Sequence, residues 1–223
     1  MKIQGVLFDM DGLMFDTERI GRHGWYTAAR ELGITIPDTV LSSLRGTGVK
    51  ECRQIFNSAI PGQLYDTARA IRLRFADEFI AQYGLPVKPG LYPLLSWLRE
   101  NNIPAALATS SNREKAMGYL HQAGVADYFS GAAFGPEVPN AKPAPDVFLL
   151  AAASIHADPN ACVVLEDSPN GLKAARAAGC RAIVVPDLNP APPSSDGLWD
   201  AKVSTLADVI PVLSYWQSSG LGK

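Results

Sequence analysis

The chain has 223 residues, 47% of them hydrophobic and 19% charged, the balance of an ordinary globular protein with enough apolar material for a sizeable core. Its 20 Lys and Arg against 22 Asp and Glu leave a formal charge of −2. That excludes a self-repelling disordered chain and gives no basic footprint for nucleic acid or an anionic membrane.

In chain order the first element is an apolar run, Ile3–Phe8, behind the single Lys2. Asp9 and Asp11 cut it short of a secretory signal, and no stretch approaches the roughly 18 apolar residues of a membrane span. The next stretch, 17–86, reads as helices only: Ile20–Leu32, Val40–Ser43, Glu51–Ala59 and Leu64–Tyr83, broken at Gly33, Gly46, Pro61 and Gly84. Beyond it, helical patterns at Leu91–Glu100, Arg113–Gln122, Asp146–Ile155 and Asn170–Ala178 alternate with apolar runs at Ile103–Ala108, Cys162–Leu165 and Arg181–Val185. Pro145 suits a first helical turn, and Gly179 suits a C-cap. The Pro- and Ser-rich segment Pro186–Gly197 reads as a surface loop.

The runs are apolar nearly throughout rather than alternating, as expected of parallel strands covered on both faces. The predicted fold is therefore α/β, a doubly wound parallel sheet of Rossmann-like form. An all-helical domain over 17–86 is inserted into a core made of 1–16 and 87–223, since so long a helical stretch exceeds a plain crossover. The three cysteines, Cys52, Cys162 and Cys180, form no CxxC pair. They are read as buried free thiols, and the expected compartment is a reducing cytoplasm.

In open parallel sheets, ligands bind beyond the carboxyl ends of the strands. There the first run ends in Asp9-Met10-Asp11-Gly12, the second in Thr109-Ser110-Ser111-Asn112 and a third in Glu166-Asp167-Ser168, with Lys142 lying between the last two. Each is commonplace alone: an Asx turn, a helix cap, a solvated lysine. Together, in this order, they point to one site. Paired acids repel, and a hard divalent cation relieves them; Mg²⁺ takes a few carboxylates together with water and phosphate oxygens. Hydroxyls, main-chain N–H groups and a lysine are what a phosphoryl group requires. No glycine-rich P-loop is present, so the pattern is metal-assisted phosphoryl transfer without a P-loop.

Phe8-Asp9-Met10-Asp11-Gly12-Leu13-Met14-Phe15-Asp16-Thr17 resembles the first motif of the haloacid dehalogenase superfamily, hydrophobic-DxDGxxxDT. Thr109-Ser110, Lys142 and Glu166-Asp167 resemble its second, third and fourth motifs. Lys142-Pro143-Ala144-Pro145-Asp146 and Glu166-Asp167-Ser168-Pro169-Asn170-Gly171 are similar to the branch holding β-phosphoglucomutase and many sugar-phosphate phosphatases.

The resemblance implies that 17–86 is a helical cap, that Asp9 is the nucleophile and that Asp11 is the acid and base. It implies that Thr109, the Ser110 amide and Lys142 hold the transferring phosphoryl group. Mg²⁺ would be held by Asp9, Asp167, the main-chain carbonyl of Asp11 and Glu166 through water. Asn112 and Arg45 are carried as substrate-binding candidates.

Asp11, Glu166 and Asp167 argue against a metal-free dehalogenase. Gly21 stands where the mutase branch carries a histidine; His23, two residues on, faces another side of the helix. Val49 falls nearest the position of that branch's distal-phosphate arginine. These departures favour water as the final acceptor. The expected activity is a Mg²⁺-dependent phosphatase of a small phosphorylated metabolite, a sugar phosphate above all, in a monomer without nucleic-acid or membrane partners. A phosphomutase and a non-catalytic phosphate-binding protein are the alternatives. Arg72 and Arg74 are read as solvated, and His121 and His156 as helix C-terminal residues.

Overall fold

In chain order the strands are β1 (Gly5–Phe8), β2 (Ala105–Thr109), β3 (Phe129–Phe134), β4 (Cys162–Glu166), β5 (Arg181–Val184) and β6 (Ala201–Lys202). The helices are α1 (Thr17–Leu32), α2 (Asp38–Leu44), α3 (Val49–Ala59), α4 (Tyr65–Tyr83), α5 (Leu91–Glu100), α6 (Arg113–Gln122), α7 (Asp146–Ser154), α8 (Pro169–Ala177) and α9 (Val209–Ser218). The computed structural model describes residues 2–45, 47–188 and 190–219; the helix break at Gly46 lies outside them. The chain divides into two compact units, Met1–Phe15 with Val87–Lys223, and Asp16–Pro86.

The first unit holds a parallel sheet of order β3-β2-β1-β4-β5-β6. Every residue of β1, β2 and β4 is buried, which is why these strands read as unbroken apolar runs. Leu7, Ala106, Ala108 and Val164 join Val147, Phe148 and Ala151 of α7 and Leu172, Ala174 and Ala175 of α8 in one core cluster. Full burial of a Leu or Phe side chain contributes about 1.5–3 kcal/mol. Small alanines on strands and helices let the layers approach closely. The cysteine expectation holds, since all three are free and buried.

Two strands and one helix go beyond the sequence expectation. Strand β3, Phe-Ser-Gly-Ala-Ala-Phe, is poor in β-branched residues and lies at the sheet edge, so it carries a weak strand signal. Strand β6 has only two residues. Helix α9 has Pro211 in its first turn, where the missing N–H costs nothing; its nearly unbroken apolar start conceals its periodicity. Within 186–197, Ser194–Asp196 form one 3₁₀ turn. Pro145 is the N-cap of α7, and Gly179 (φ 80°) follows the end of α8.

The second unit contains α1 to α4, with α1 against α4. Its core gathers Trp25, Ala28, Leu41, Phe56, Tyr65 and Ala68, with the Trp25 ring stacked on Phe56 at 5.6 Å. Gly24 permits the close approach of the two long helices, because a Cβ there would come within 2.8 Å of the Arg72 carbonyl oxygen. Gly33, in the left-handed region at φ 65°, ends α1. The Asp16 amide donates to the Pro86 carbonyl at 2.9 Å, tying the two ends of the unit together.

Candidate active site

The strand order sets where a site can form. The chain winds outward from β1 through β2 and β3, then returns to β4 on the other side of β1. Connections on either side of the β1/β4 pair therefore diverge and leave a crevice at the carboxyl edge. Asp9 follows β1, Thr109 ends β2, Glu166 ends β4 with Asp167 next, and Lys142 comes from the segment between β3 and α7.

Lys142 is the hub. Its ammonium donates to Asp9 Oδ1 at 2.5 Å, Glu166 Oε1 at 2.8 Å and the Ala108 carbonyl at 3.2 Å, while Nζ lies 4.7 Å from the centre of the Phe148 ring. Lys142 is 6% exposed, Asp9 8% and Glu166 1%, so three charged groups share a site almost without water. Burial pushes the Asp9 carboxyl up to about 7, with Glu166 and Asp11 adding to the rise, although Lys142 opposes it. Burial alone would lower Lys142, yet Asp9 and Glu166 together hold it above its ordinary value.

Glu166 is committed on both oxygens. Its Oε2 accepts from the Ser168 amide at 2.7 Å and the Ser168 hydroxyl at 2.9 Å. Ser168 also caps α8, accepting from the Gly171 amide at 3.1 Å. A Cβ on Gly171 would stand 1.6 Å from Glu166 Oε1, so only glycine lets α8 pass this close. Glu166 thus sits behind Lys142, with Oε1 on the ammonium. Its carboxylate accepts from three donors, the Lys142 ammonium and the Ser168 amide and hydroxyl.

Asp11 turns toward the loop after β2. Its Oδ2 accepts from the Ser111 hydroxyl at 2.8 Å and its Oδ1 from Lys115 Nζ at 3.0 Å. Thr109 is buried, and its hydroxyl accepts from the Ser111 amide at 3.0 Å. Asn112 serves as N-cap of α6, accepting from the Lys115 amide at 2.9 Å. Gly135 packs on the Ser110 backbone; a Cβ there would meet its carbonyl oxygen at 2.5 Å. Ser111 and Lys115 were not foreseen as partners of Asp11. Two cations in the first turn of α6, Arg113 and Lys115, oppose the helix dipole and are the sequence signal for them.

Other expected residues lie in the helical unit. Arg45 follows α2, where its guanidinium donates to Ser42 Oγ at 2.9 Å. Arg74 is exposed and paired with Glu31 at 2.8 Å. Arg72 departs from the solvated reading. It is half-buried, its guanidinium lies 5.6 Å from the Trp25 ring centre, and Gly21 leaves room for it, since a Cβ there would meet its Nη2 at 2.5 Å.

A small hard cation fits this donor set in part. Asp167 packs over Gly12, whose Cβ would meet its Oδ2 at 2.5 Å; its carboxylate is thus brought to the loop that carries Asp9 and Asp11. Among the described residues no three His, Cys, Asp or Glu side chains gather into a metal cage. Two carboxylates and a carbonyl suit Mg²⁺, which retains much of its water; they do not suit a cation that demands an all-protein shell.

Residues 3–179 match the model of the haloacid dehalogenase-like hydrolase family. The chain is 35% identical over 201 residues to a probable pseudouridine-5'-phosphatase of Drosophila melanogaster, covering 83% of each. It is 30% identical over 217 residues to hexitol phosphatase B of Escherichia coli K12, covering 93% of this chain and 95% of that one. The crystal structure of CbbY from Rhodobacter sphaeroides in complex with phosphate superposes with a TM-score of 0.76 at 26% identity, covering 93% of this chain and 96% of the other. Among the described residues no helix is long and apolar enough to cross a membrane. With its parallel sheet and helical insertion, the chain belongs to the haloacid dehalogenase-like hydrolase family, as an enzyme of the branch that holds CbbY, β-phosphoglucomutase and the sugar-phosphate phosphatases.

Proposed function

We propose that the protein is a Mg²⁺-dependent phosphatase that hydrolyses a small phosphorylated metabolite, a sugar phosphate or a similar phosphate ester, through an aspartyl-phosphate. The observation that carries this reading is the buried Asp9–Lys142–Glu166 arrangement at the carboxyl edge of β1 and β4, with Asp11 two residues beyond Asp9. The relatives named for phosphate esters of a hexitol and of pseudouridine support the substrate class.

Asp9 is the nucleophile, a carboxylate that attacks phosphorus and releases the leaving oxygen. Lys142 offsets repulsion between Asp9 and the incoming phosphate, and Glu166 holds Lys142 in place. Thr109 and the Ser110 amide bind the phosphoryl oxygens. Asp11 protonates the leaving oxygen, then takes a proton from the water that attacks the phosphoenzyme. Mg²⁺ would be held by Asp9, Asp167, the carbonyl of Asp11 and, through water, Glu166; when bound, it would supply charge neutralisation between the nucleophile and the phosphoryl oxygens. Residues 17–86 act as the cap, which excludes bulk water on closure.

Water is the final acceptor in this reading because the place of the mutase histidine, Gly21, is taken up by Arg72. The test is a sugar-phosphate panel assayed for inorganic phosphate, with and without a bisphosphate activator, in Mg²⁺ and in EDTA. Phosphate release that EDTA silences and Mg²⁺ restores is the expected result. Isomer formation without net phosphate release would establish a phosphomutase instead, and binding without turnover a non-catalytic protein.

A further inference from the structure

Ser111 stands just before Asn112, the N-cap of α6, and Lys115 lies in the first turn of that helix. They close a triangle with Asp11: Ser111 Oγ to Asp11 Oδ2 at 2.8 Å, Lys115 Nζ to Asp11 Oδ1 at 3.0 Å, and Lys115 Nζ to Ser111 Oγ at 3.3 Å. The ammonium also rests against an aromatic ring, 5.1 Å from the centre of Tyr119, and that ring meets Phe15 edge-on at 5.8 Å. A lysine in the first turn of a helix opposes the helix dipole, which favours acids there. Within α6 the Tyr119 ring supports the ammonium, and across the loop the Asp11 carboxylate does.

We propose that Ser111 and Lys115 form a resting cradle for the Asp11 carboxylate, and that Lys115 is a positioning residue that sets how readily Asp11 is released to the reacting groups. The inference rests on the reading of Asp11 as the acid and base. Both its oxygens accept hydrogen bonds in the cradle, so a turn of Asp11 toward a leaving oxygen on phosphorus at Asp9 strains or breaks these contacts. The cradle therefore competes with the catalytic position. Lys115 is 36% exposed on its side chain and Asp11 23%, so the ion pair is weak enough to open in each cycle and strong enough to bias the resting state.

Lys115→Met and Lys115→Arg in the full chain test this, with the sugar phosphate that the wild-type enzyme hydrolyses fastest. Removing the charge should raise kcat about 1.5- to 5-fold with KM unchanged, the range that loss of a part-exposed ion pair allows. Lys115→Arg should keep the wild-type kcat. Substrate-free crystal structures give a second readout: Asp11 rests on Ser111 and Lys115 in the wild type and turns away from Ser111 in Lys115→Met. A kcat that is unchanged or lower in Lys115→Met, or an Asp11 that stays on Ser111 without Lys115, overturns the cradle. A wild type that releases no phosphate in Mg²⁺ would instead overturn the phosphatase reading, and the crystal structures would still decide the cradle.

Discussion

Lys142 Nζ stands 2.5 Å from Asp9 Oδ1 with both side chains buried, and the same ammonium holds Glu166 at 2.8 Å. One cation thus faces two carboxylates away from water. Such a triad is poor at stabilising a fold for its own sake, since desolvation of three charges offsets most of the attraction. In the proposed reaction it would give Asp9 a neighbouring cation that counters repulsion of the incoming phosphate.

Removing Lys142 should be costly twice over. Lys142→Met leaves Asp9 and Glu166 buried together without their cation, and breaking a buried pair in this way costs about 3–5 kcal/mol. Chemical denaturation should show a loss of that order, and phosphatase activity should vanish at temperatures where the variant is still folded. Lys142→Arg should not restore activity, because a planar fork does not replace a compact ammonium between three acceptors.

Gly171 should tolerate no side chain. In Gly171→Ala the new Cβ would fall 1.6 Å from Glu166 Oε1, so the glutamate or the start of α8 must move. The expected cost is about 1–3 kcal/mol, read as a lower melting temperature, together with lower activity as Lys142 loses its rear support. A variant with wild-type melting and activity would show that Glu166 does not hold Lys142.

The folded Asp9 carboxyl, at about 7, lies above its ordinary value of 3.8. Between those values the folded protein keeps a proton that the unfolded chain has released, so this group destabilises the fold increasingly as pH rises from 3.8 to about 7 and levels off above that. Asp9→Asn removes the effect. In EDTA, the melting temperature of Asp9→Asn relative to wild type should therefore climb from about pH 5 to about pH 7 and then level off. Lys142 stays charged throughout that window, so loss of its partner adds an offset without a slope. A difference flat with pH would contradict the buried, destabilised Asp9.

Much of the site was legible because its residues are punctuation. Asp9, Thr109 and Glu166 end apolar runs, and a parallel sheet brings all such ends to one edge. Lys142 was legible only by its motif, since no periodicity places a loop lysine 133 residues from its partner. The contacts of Asp11 were hidden for the same reason, lying 100 and 104 residues away in sequence. The commitment of Glu166 to Lys142 and Ser168 was equally out of reach, because Glu-Asp-Ser before a helix reads as ordinary capping. Strand β3 escaped because Ser, Gly and Ala carry little strand preference, so its place is set by pairing with β2.

The central claim is that Asp9 carries the phosphoryl group. Acid quenching during turnover of the best sugar phosphate in Mg²⁺, followed by peptide mass spectrometry, tests it most directly. The expected result is one phosphoryl group on Asp9 in the wild type, none in a folded Asp9→Asn, and turnover in that variant lower by on the order of 10³-fold or more. A phosphoryl group on another residue, or substantial turnover by Asp9→Asn, would contradict the account.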